Sequence, residues 1–354
     1  MKRKVGIVTI VHGENYGNRL QNYALQSTLE KLGYTPLTFR RNVYRNVLSQ
    51  VKNTLGYMVK TIFQHRGRRI KFKRFNEDNI HFCNLTLYNR GNNINKGFSS
   101  FYAFICGSDQ IWNPNWPTNS DVDFLMFAPR GKRIAYAASF GVEDIEEKDI
   151  PRYKRYLQEL DYISVREKTG ARIVYKLTNR EVKVLADPTI LISSDEWIEL
   201  EKKPESVGEK KYILCYFLAG IDPSRKKQIQ LYASEKLMDI IWIDNPDEKT
   251  SYDNGPGEFL FYIHHASHIF TDSFHCTVFS ILYGREFDVF PRFKAGSRMS
   301  DRVLTLLEYF EMEDRYDRTY IDDASIDYKY VNERIRSIRK TSIDYLQESL
   351  DGVK

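Results

Sequence analysis

The first forty residues contain a strand, a helix and a second strand, and this order constrains the fold more than any other feature. Residues 4–11 are apolar almost throughout, as in a strand of a parallel sheet that is buried on both faces. A helix is predicted over residues 19–32, ended by Gly33, and a second strand over residues 35–39. Such a unit places its two strands parallel with a right-handed crossover, so the chain begins as an α/β fold.

The same alternation of short apolar runs and helical patterns continues to residue 310. Further strands are predicted at 101–106, 133–138, 162–165, 183–185, 212–217, 240–243, 266–270 and 287–290. We expect residues 42–77 to be helical and basic, and residues 84–100, rich in Asn and Gly, to form a surface loop. A long apolar stripe predicts a terminal helix over residues 328–350.

A chain of 354 residues, 42% of them hydrophobic, is too long for one small core and predicts two domains. The charged segment at 200–211, which contains Pro and Gly, is the expected linker. We therefore predict two facing Rossmann-like domains, residues 1–200 and 201–327, with a cleft between them. The helix at 328–354 is expected to pack across both.

Composition excludes several classes of protein. No apolar run approaches the roughly 20 residues of a membrane span. The four cysteines are far apart, without metal-ligand or disulfide-framework spacing. This pattern predicts a location in the reducing cytoplasm. The net charge is +6, and the strongest basic cluster lies at residues 65–74. Such a cluster can be a solvated helix face, or it can bind an anionic membrane surface or nucleic acid. No nucleic-acid-binding module accompanies it.

Polar residues follow the predicted strands of the first domain where each strand ends, which is the edge that binds ligands in open α/β folds. They are Asn15, Asn18, Ser108, Asp109, Gln110, Ser139 and Arg166. Trp112 could add an apolar wall for a sugar ring, although tryptophan is also a common core residue. Turn and cap roles compete for Asn15, Asn18 and Gln110, and Ser108 or Asp109 could instead be the N-cap of a turn. A surface position at a helix start competes for Arg166.

In the second domain, a strand leads into Asp272 and Ser273, which are good helix N-caps. His275 then lies in the first helical turn, where unpaired N–H groups favour a bound anion. A histidine there can donate a proton near neutral pH, although it could equally be a satisfied helix residue. Cys276 is interpreted as a small buried residue and not as a nucleophile.

Six segments together resemble the polysaccharide pyruvyl transferase family. They are NYGNRLQNYAL (15–25), ICGSDQIWNP (105–114), AYAASFG (135–141), SVRE (164–167), ADPT (186–189) and DSFH (272–275). The resemblance implies a GT-B-like fold and transfer of pyruvate from phosphoenolpyruvate to a sugar of a cell-surface polysaccharide, forming a cyclic ketal. Where many members carry arginine two residues before the histidine, this chain has Ser273.

Phosphoenolpyruvate carries a phosphate and a carboxylate, which require arginine or lysine and backbone N–H groups. The candidates are Arg166, Arg292 and Arg298, together with the helix start at Ser273. His275 would act as general acid or stabilise the phosphate, and Asp109 would orient or deprotonate the acceptor. The donor is expected on the side of residues 201–327 and the acceptor on the side of residues 1–200, without a metal or redox cofactor.

Two other functions remain open, because fold does not fix function. One is a GT-B glycosyltransferase that uses a nucleotide sugar, and the other is a non-catalytic binding protein of a polysaccharide locus. A lipid-linked oligosaccharide acceptor would bring the cytoplasmic protein to the inner face of a membrane, where the basic cluster could make peripheral contact. Nucleic acid is not an expected partner.

Overall fold

The structure, a computed structural model, describes residues 2–42, 66–88, 96–205, 207–208, 210–244, 252–293, 301–319 and 325–354. The chain divides into two compact units. Unit 1 comprises Met1–Val59, Asn76–Ile192 and Ser337–Lys354. Unit 2 comprises Lys60–Phe75 and Ser193–Arg336.

Unit 1 is built on a seven-stranded sheet in which every pair of neighbours is parallel. The strands are β1 (Lys4–Val8), β2 (Thr35–Asn42), β3 (Phe82–Tyr88), β4 (Ala103–Cys106), β5 (Arg133–Ala138), β6 (Tyr162–Val165) and β7 (Lys183–Val184). Their spatial order is β3-β2-β1-β4-β5-β6-β7. The order reverses between β1 and β4, and a crevice at such a reversal is where open α/β sheets bind ligands.

Helices cover this sheet because its central strands are apolar on both faces. All residues of β4 and β5 are buried. One face packs against Trp112, Phe124 and Leu157, and the other against Leu25 and Leu346. The helices of unit 1 are α1 (Tyr16–Lys31), the C-terminal part of α2 (Arg66–Asn79), α3 (Ile150–Gln158), α4 (Lys168–Thr178) and the end of the terminal helix α10 (Tyr328–Asp351).

Unit 2 contains a four-stranded parallel sheet in the order β11-β10-β8-β9. The strands are β8 (Tyr212–Tyr216), β9 (Asp239–Trp242), β10 (His268–Thr271) and β11 (Glu286–Val289). The helices are α5 (Ser194–Ile198), α6 (Pro223–Lys236), α7 (Pro256–His265), α8 (Phe274–Leu282) and α9 (Asp301–Phe310). The order reverses between β8 and β10, so the prediction of an α/β protein with two Rossmann-like halves is confirmed.

Two local predictions were wrong. The segment at 84–100 is not all loop, because residues up to Tyr88 form β3, which lies at the edge of the described sheet beside β2. Helix α1 begins at Tyr16 and not near residue 19, because the Asn15 side chain caps it. Asn42, where the next helix was expected to begin, is the last residue of β2, and residues 43–65 of that expected helix lie outside the described residues.

The unit boundary lies at residues 192 and 193, whereas the sequence placed it near 200. Residues 60–75 belong to unit 2, and the terminal helix changes unit at Ser337. Whether that helix packs across both domains stays a prediction. Within the described residues, no helix combines the length and the apolarity needed to cross a bilayer.

Candidate functional site

A tight glycine turn brings the polar loop after β4 to the carboxyl edge of the unit 1 sheet. Gly107 has φ of +128°, and a Cβ there would lie 2.0 Å from the carbonyl oxygen of Tyr136. Only glycine fits such a position. Ser108, Asp109 and Gln110 follow directly, and all three are buried.

Arg166 joins this loop to the end of β6 through a buried ion-pair network. Its Nη1 lies 2.6 Å from Oδ2 of Asp187 and its Nη2 lies 3.4 Å from Oδ1 of Asp109. Ser108 Oγ donates to the same Asp187 oxygen at 2.7 Å. Burial alone lowers the pKa of the Arg166 guanidinium, but Asp187 and Asp109 outweigh burial and raise it.

These contacts change the interpretation of Arg166. Its side chain is only 1% exposed. A guanidinium held by two carboxylates in this way is not available as the phosphate ligand that the sequence suggested. Arg166 instead positions Ser108 and Asp109, of which Asp109 keeps 12% of its side chain exposed.

Three residues of this edge were not among the predicted site residues. Asp187 also accepts bonds from the backbone N–H and hydroxyl of Thr189. Gln21 spans the crevice between β1 and β4, donating to Thr9 Oγ1 at 2.7 Å and accepting from the Ser108 N–H at 3.2 Å. Both Asp187 and Gln21 lie inside the quoted segments, which was the signal available for them.

The third is Arg19, which lies buried in the first turn of α1. Its Nη2 donates to the carbonyl of Gly13 at 2.5 Å. Burial lowers the pKa of Arg19 to about 10, although Glu14 opposes the effect. Arginine therefore remains charged at neutral pH and supplies positive charge beside the loop after β1.

The two predicted asparagines have different roles. Asn15 is exposed and its Oδ1 accepts the Asn18 N–H at 3.1 Å, so it caps α1. Asn18 is 3% exposed. Among the described residues, no hydrogen-bond partner is found for Asn18 Oδ1 or for Oγ of the fully buried Ser139. These two acceptors are therefore candidates for a donor group of a bound sugar.

The remaining residues of the loop hold its shape. Gln110 Oε1 accepts from Asn113 Nδ2 at 2.6 Å, and the Ser139 N–H donates to the Asp109 carbonyl. Trp112 has no exposed surface, stacks on Phe124 at 5.2 Å, and donates to the Asp123 carbonyl. The interpretation of Trp112 as a wall for a sugar ring was wrong, because the side chain belongs to the core.

In unit 2, strand β10 delivers a polar turn to the N-terminus of α8. Asp272 accepts the N–H groups of Leu218 and Ala219 at 2.7 and 3.2 Å. Burial raises the pKa of Asp272, against these two bonds and the charge of Arg292. Arg292 Nε lies 4.0 Å from Asp272 Oδ2, so the turn and the end of β11 are linked electrostatically.

Ser273 and His275 occupy the positions expected from the sequence. Ser273 is the N-cap of α8, and its Oγ accepts the Cys276 N–H at 3.4 Å. His275 lies in the first turn and is 8% exposed. Burial raises the pKa of the Cys276 thiol to about 12, so this cysteine is protonated at neutral pH and is not a nucleophile.

A cavity of about 270 Å³ opens at the carboxyl ends of β8 and β11. It is lined by Phe217, Gly220, Ile221, Asp222, Arg225, Phe290, Pro291, Arg292, Phe293 and Asp317. Arg225 is bound to the Asp317 carboxylate and the Arg318 carbonyl, each at 2.6 Å. Arg292, whose side chain is 17% exposed, lines this cavity and also lies 4.0 Å from Asp272. It therefore links the cavity to the start of α8. Arg298 lies outside the described residues.

A family model described as polysaccharide pyruvyl transferase matches residues 15–290. The chain belongs to the polysaccharide pyruvyl transferase family. The match includes His275, Asp109 and the whole of both sheets except the first strand. The sequence resemblance is thereby confirmed, and so is the general assignment to a transferase family of polysaccharide biosynthesis.

No curated protein sequence matches this pyruvyl transferase family member significantly. Among solved structures, it is similar to UDP-N-acetylglucosamine 2-epimerase from Rickettsia bellii, with 12% identity, 99% and 98% of the two chains covered and a TM-score of 0.45. The corresponding enzyme from Methanocaldococcus jannaschii, in complex with UDP-GlcNAc and UDP, has 11% identity, coverage of 96% and 100%, and a TM-score of 0.43. Glycosyltransferase SnogD from Streptomyces nogalater has 8% identity, coverage of 99% and 100%, and a TM-score of 0.45. Likenesses at this level do not bear on activity.

Proposed function

We propose that the protein transfers pyruvate from phosphoenolpyruvate to a sugar of a cell-surface polysaccharide or its lipid-linked precursor, forming a cyclic ketal. The observation that carries this proposal is the position of His275 in the first turn of α8, at the carboxyl end of β10. Arg292 lies beside the same turn, 4.0 Å from Asp272. A histidine and an arginine therefore lie near the same strand–helix junction, which supports the assignment of a proton donor and an anion-binding group to it.

The donor has two anionic groups, and unit 2 offers two kinds of partner for them. The N-terminus of α8 presents backbone N–H groups and a partial positive charge, which favour a phosphate. Arg292 presents a planar guanidinium, which matches a carboxylate or a phosphate in a bidentate manner. The cavity that Arg292 lines has room for a small molecule at about 270 Å³.

The reaction requires a proton donor near the methylene carbon of phosphoenolpyruvate. Protonation of that carbon makes C2 electrophilic, and a sugar hydroxyl attacks it. The C–O bond to phosphate then breaks, phosphate leaves with the electron pair, and a second sugar hydroxyl closes the ketal. We assign the proton transfer or the stabilisation of the leaving phosphate to His275, whose imidazole can do either near neutral pH.

We propose that Asp109 orients the acceptor sugar. Its carboxylate is held by Arg166 at 3.4 Å and faces the carboxyl edge of the unit 1 sheet. A neighbouring cation stabilises the ionised form of a carboxylate and so weakens it as a base. This favours hydrogen bonding to an acceptor hydroxyl over its deprotonation. Asn18 and Ser139 supply further acceptors for the sugar.

The test measures phosphate release from phosphoenolpyruvate by ³¹P NMR and the ketal methyl signal by ¹H NMR, with a panel of lipid-linked and free oligosaccharides. Replacement His275→Ala should lower kcat by about 10²–10⁴-fold, the usual contribution of a general acid, with little change in KM for phosphoenolpyruvate. His81→Ala is the matched control, since His81 is exposed in unit 1 and pairs with Glu30. An unchanged kcat in His275→Ala would remove the histidine from the mechanism.

A further inference from the structure

Two consecutive histidines and a glutamate converge in unit 2, outside the residues assigned to pyruvyl transfer. His264 and His265 are the last residues of α7, and Glu201 follows α5 by three positions. His264 Nδ1 lies 2.8 Å from Glu201 Oε1, and His265 Nε2 lies 3.4 Å from Glu201 Oε2. One ligand atom from each of the three residues lies within 4.8 Å of the other two.

These separations are close to those of a metal site. Zinc binds histidine nitrogen and carboxylate oxygen at about 2.0–2.2 Å in a tetrahedral arrangement, which places neighbouring ligand atoms about 3.3 Å apart. The distances of 2.8 and 3.4 Å lie on either side of that value. Both histidine–glutamate separations are therefore in the range expected for pairs of zinc ligands, and the three ligand atoms lie within 4.8 Å of one another. Two histidines and one glutamate, with the fourth position open to water, form a known zinc ligand set.

Aromatic neighbours hold both imidazoles in place. The His265 ring stacks on Phe261 with centroids 4.1 Å apart, and the His264 ring stacks on Tyr283 at 4.6 Å. Ordering the ligands before the ion arrives lowers the entropic cost of binding. Such ordering is not required of two histidines that merely end a surface helix.

The three side chains differ in their exposure to solvent. The side chain of Glu201 is 9% exposed, that of His264 21% and that of His265 46%. The Glu201 carboxylate is thus the least exposed group of the cluster, and solvent reaches the cluster from the side of His265. This exposure gives an entry path for an ion. Arg285 is a positive charge that acts on both histidines and opposes a dication, so we expect moderate and not extreme affinity.

We propose that Glu201, His264 and His265 bind a divalent transition metal ion, with zinc preferred. Imidazole ligands suit zinc, copper and nickel, whereas magnesium and calcium prefer oxygen ligands alone. A bound ion joins the segment after α5 to the C-terminal end of α7. It therefore stabilises unit 2 and has no part in the transfer chemistry assigned to His275.

The test uses the full chain without a histidine tag, treated with a chelator and then titrated with zinc chloride by calorimetry. One zinc ion should bind per chain, and zinc should raise the unfolding temperature. Replacement His265→Ala should weaken zinc binding at least tenfold, since loss even of a group that only supports a metal ligand costs about 10–100-fold. His81→Ala should bind zinc like the wild type, because its imidazole pairs with a single carboxylate, Glu30, at 3.0 Å.

Cobalt provides a second readout, since a tetrahedral cobalt site gives intense visible absorption. This band should appear in the wild-type protein and be lost in both His265→Ala and Glu201→Gln. Magnesium should produce neither heat nor a shift in unfolding temperature. Absence of saturable zinc binding, or equal affinity in wild type and His265→Ala, would overturn the proposal. Neither result would affect the proposed pyruvyl transfer, which involves different residues.

Discussion

At the scale of single residues, Arg166 shows how a buried charge can fix the geometry of a loop. The guanidinium lies between the carboxylates of Asp187 and Asp109, with 1% of its side chain exposed. Water cannot solvate any of these groups well, so each depends on the others for its charge. The geometry of the loop after β4 follows from this network, since Ser108 also bonds to Asp187.

Replacement Arg166→Ala should therefore destabilise the protein strongly. Removal of one partner leaves buried carboxylates without their cation, which typically costs about 3–5 kcal/mol. Urea unfolding followed by circular dichroism measures the loss. Arg172→Ala, an exposed arginine of α4 that bonds only to a backbone carbonyl among its described contacts, should change the free energy of unfolding by less than about 0.5 kcal/mol. Similar losses in the two variants would show that Arg166 is not structurally special.

The buried Asp272 carboxyl should make the stability of the protein depend on pH in the opposite direction from an ordinary carboxylate. Burial raises its pKa in the folded protein, so the native state holds the proton more tightly than the unfolded state. Its contribution to the free energy of unfolding therefore falls as the pH rises through the raised pKa. Asp272→Asn cannot lose a proton, so its stability relative to wild type should increase as the pH rises above the unfolded pKa of about 4.

Asp222 is the matched control for this titration. It is a half-buried N-cap of α6, and hydrogen bonds from Ser224 lower its pKa. Its stabilising effect is present above the unfolded pKa and is lost as the pH falls, so Asp222→Asn should become less stable relative to wild type as the pH rises. Urea unfolding at several pH values gives both trends. Parallel trends in the two variants would contradict the assignment for Asp272.

At the scale of elements, the sequence predicts the central strands well and the edges poorly. Strands β4, β5 and β6 are largely buried, so they appear as short runs that are apolar except for Arg133 and Ser164. Strand β3 is an edge strand in which only Cys83 and Leu87 are fully buried, and its exposed Asn84 has the composition of a loop. The start of α1 was placed too late for a related reason, because its first turn contains Gly17 and two polar residues.

The candidate site was likewise predicted only in part. Strand ends can be read from local pattern, which located Ser108, Asp109 and the turn at Asp272. The partners of these residues cannot, because the Ser108–Asp187 bond joins residues 79 positions apart. The burial of Trp112 could not be predicted from the neighbouring residues either. A tryptophan in a core and a tryptophan in a sugar-binding site can occur in the same local sequence.

Helix α2 carries the basic cluster that the sequence connected with a membrane surface. Arg68 is buried, pairs with Asp244 and stacks near Phe72, while Lys71 pairs with Glu258 at 2.7 Å. Both cations are paired with carboxylates of unit 2, and Arg68 is in addition buried, so they are less available to a membrane surface. Arg69 and Lys73 are exposed and lie four residues apart, on one face of the helix.

Any peripheral contact with anionic lipid should therefore depend on Arg69 and Lys73. A basic residue near an anionic surface contributes about 1 kcal/mol, so Arg69→Glu combined with Lys73→Glu should lower association with phosphatidylserine vesicles at least tenfold. Sedimentation with vesicles measures the change. Lys154→Glu with Arg155→Glu, on the exposed face of α3, is the control and should have little effect. Undiminished association of the first variant would exclude α2 as the contact.

At the scale of the whole molecule, the fold and the family restrict the activity without naming the donor. Each unit is a parallel sheet whose strand order reverses once, and each has polar residues at that reversal. Such architecture serves many chemistries, nucleotide-sugar transfer among them. The family match favours pyruvyl transfer, and we propose that the donor binds to unit 2. The donor is therefore best tested by binding, before any acceptor is known.

Phosphoenolpyruvate should raise the unfolding temperature of the protein, and nucleotide sugars should not. A ligand that binds only the native state stabilises it by about 2.7 kcal/mol at 100 times its Kd, a shift of several degrees for a chain of this size. Arg292→Gln should abolish most of the shift, because it removes the cation that lines the cavity beside Asp272. Arg336→Gln, an exposed arginine of the terminal helix, should retain it. A shift with nucleotide sugars alone would instead favour glycosyl transfer and make the N-terminus of α8 a diphosphate site.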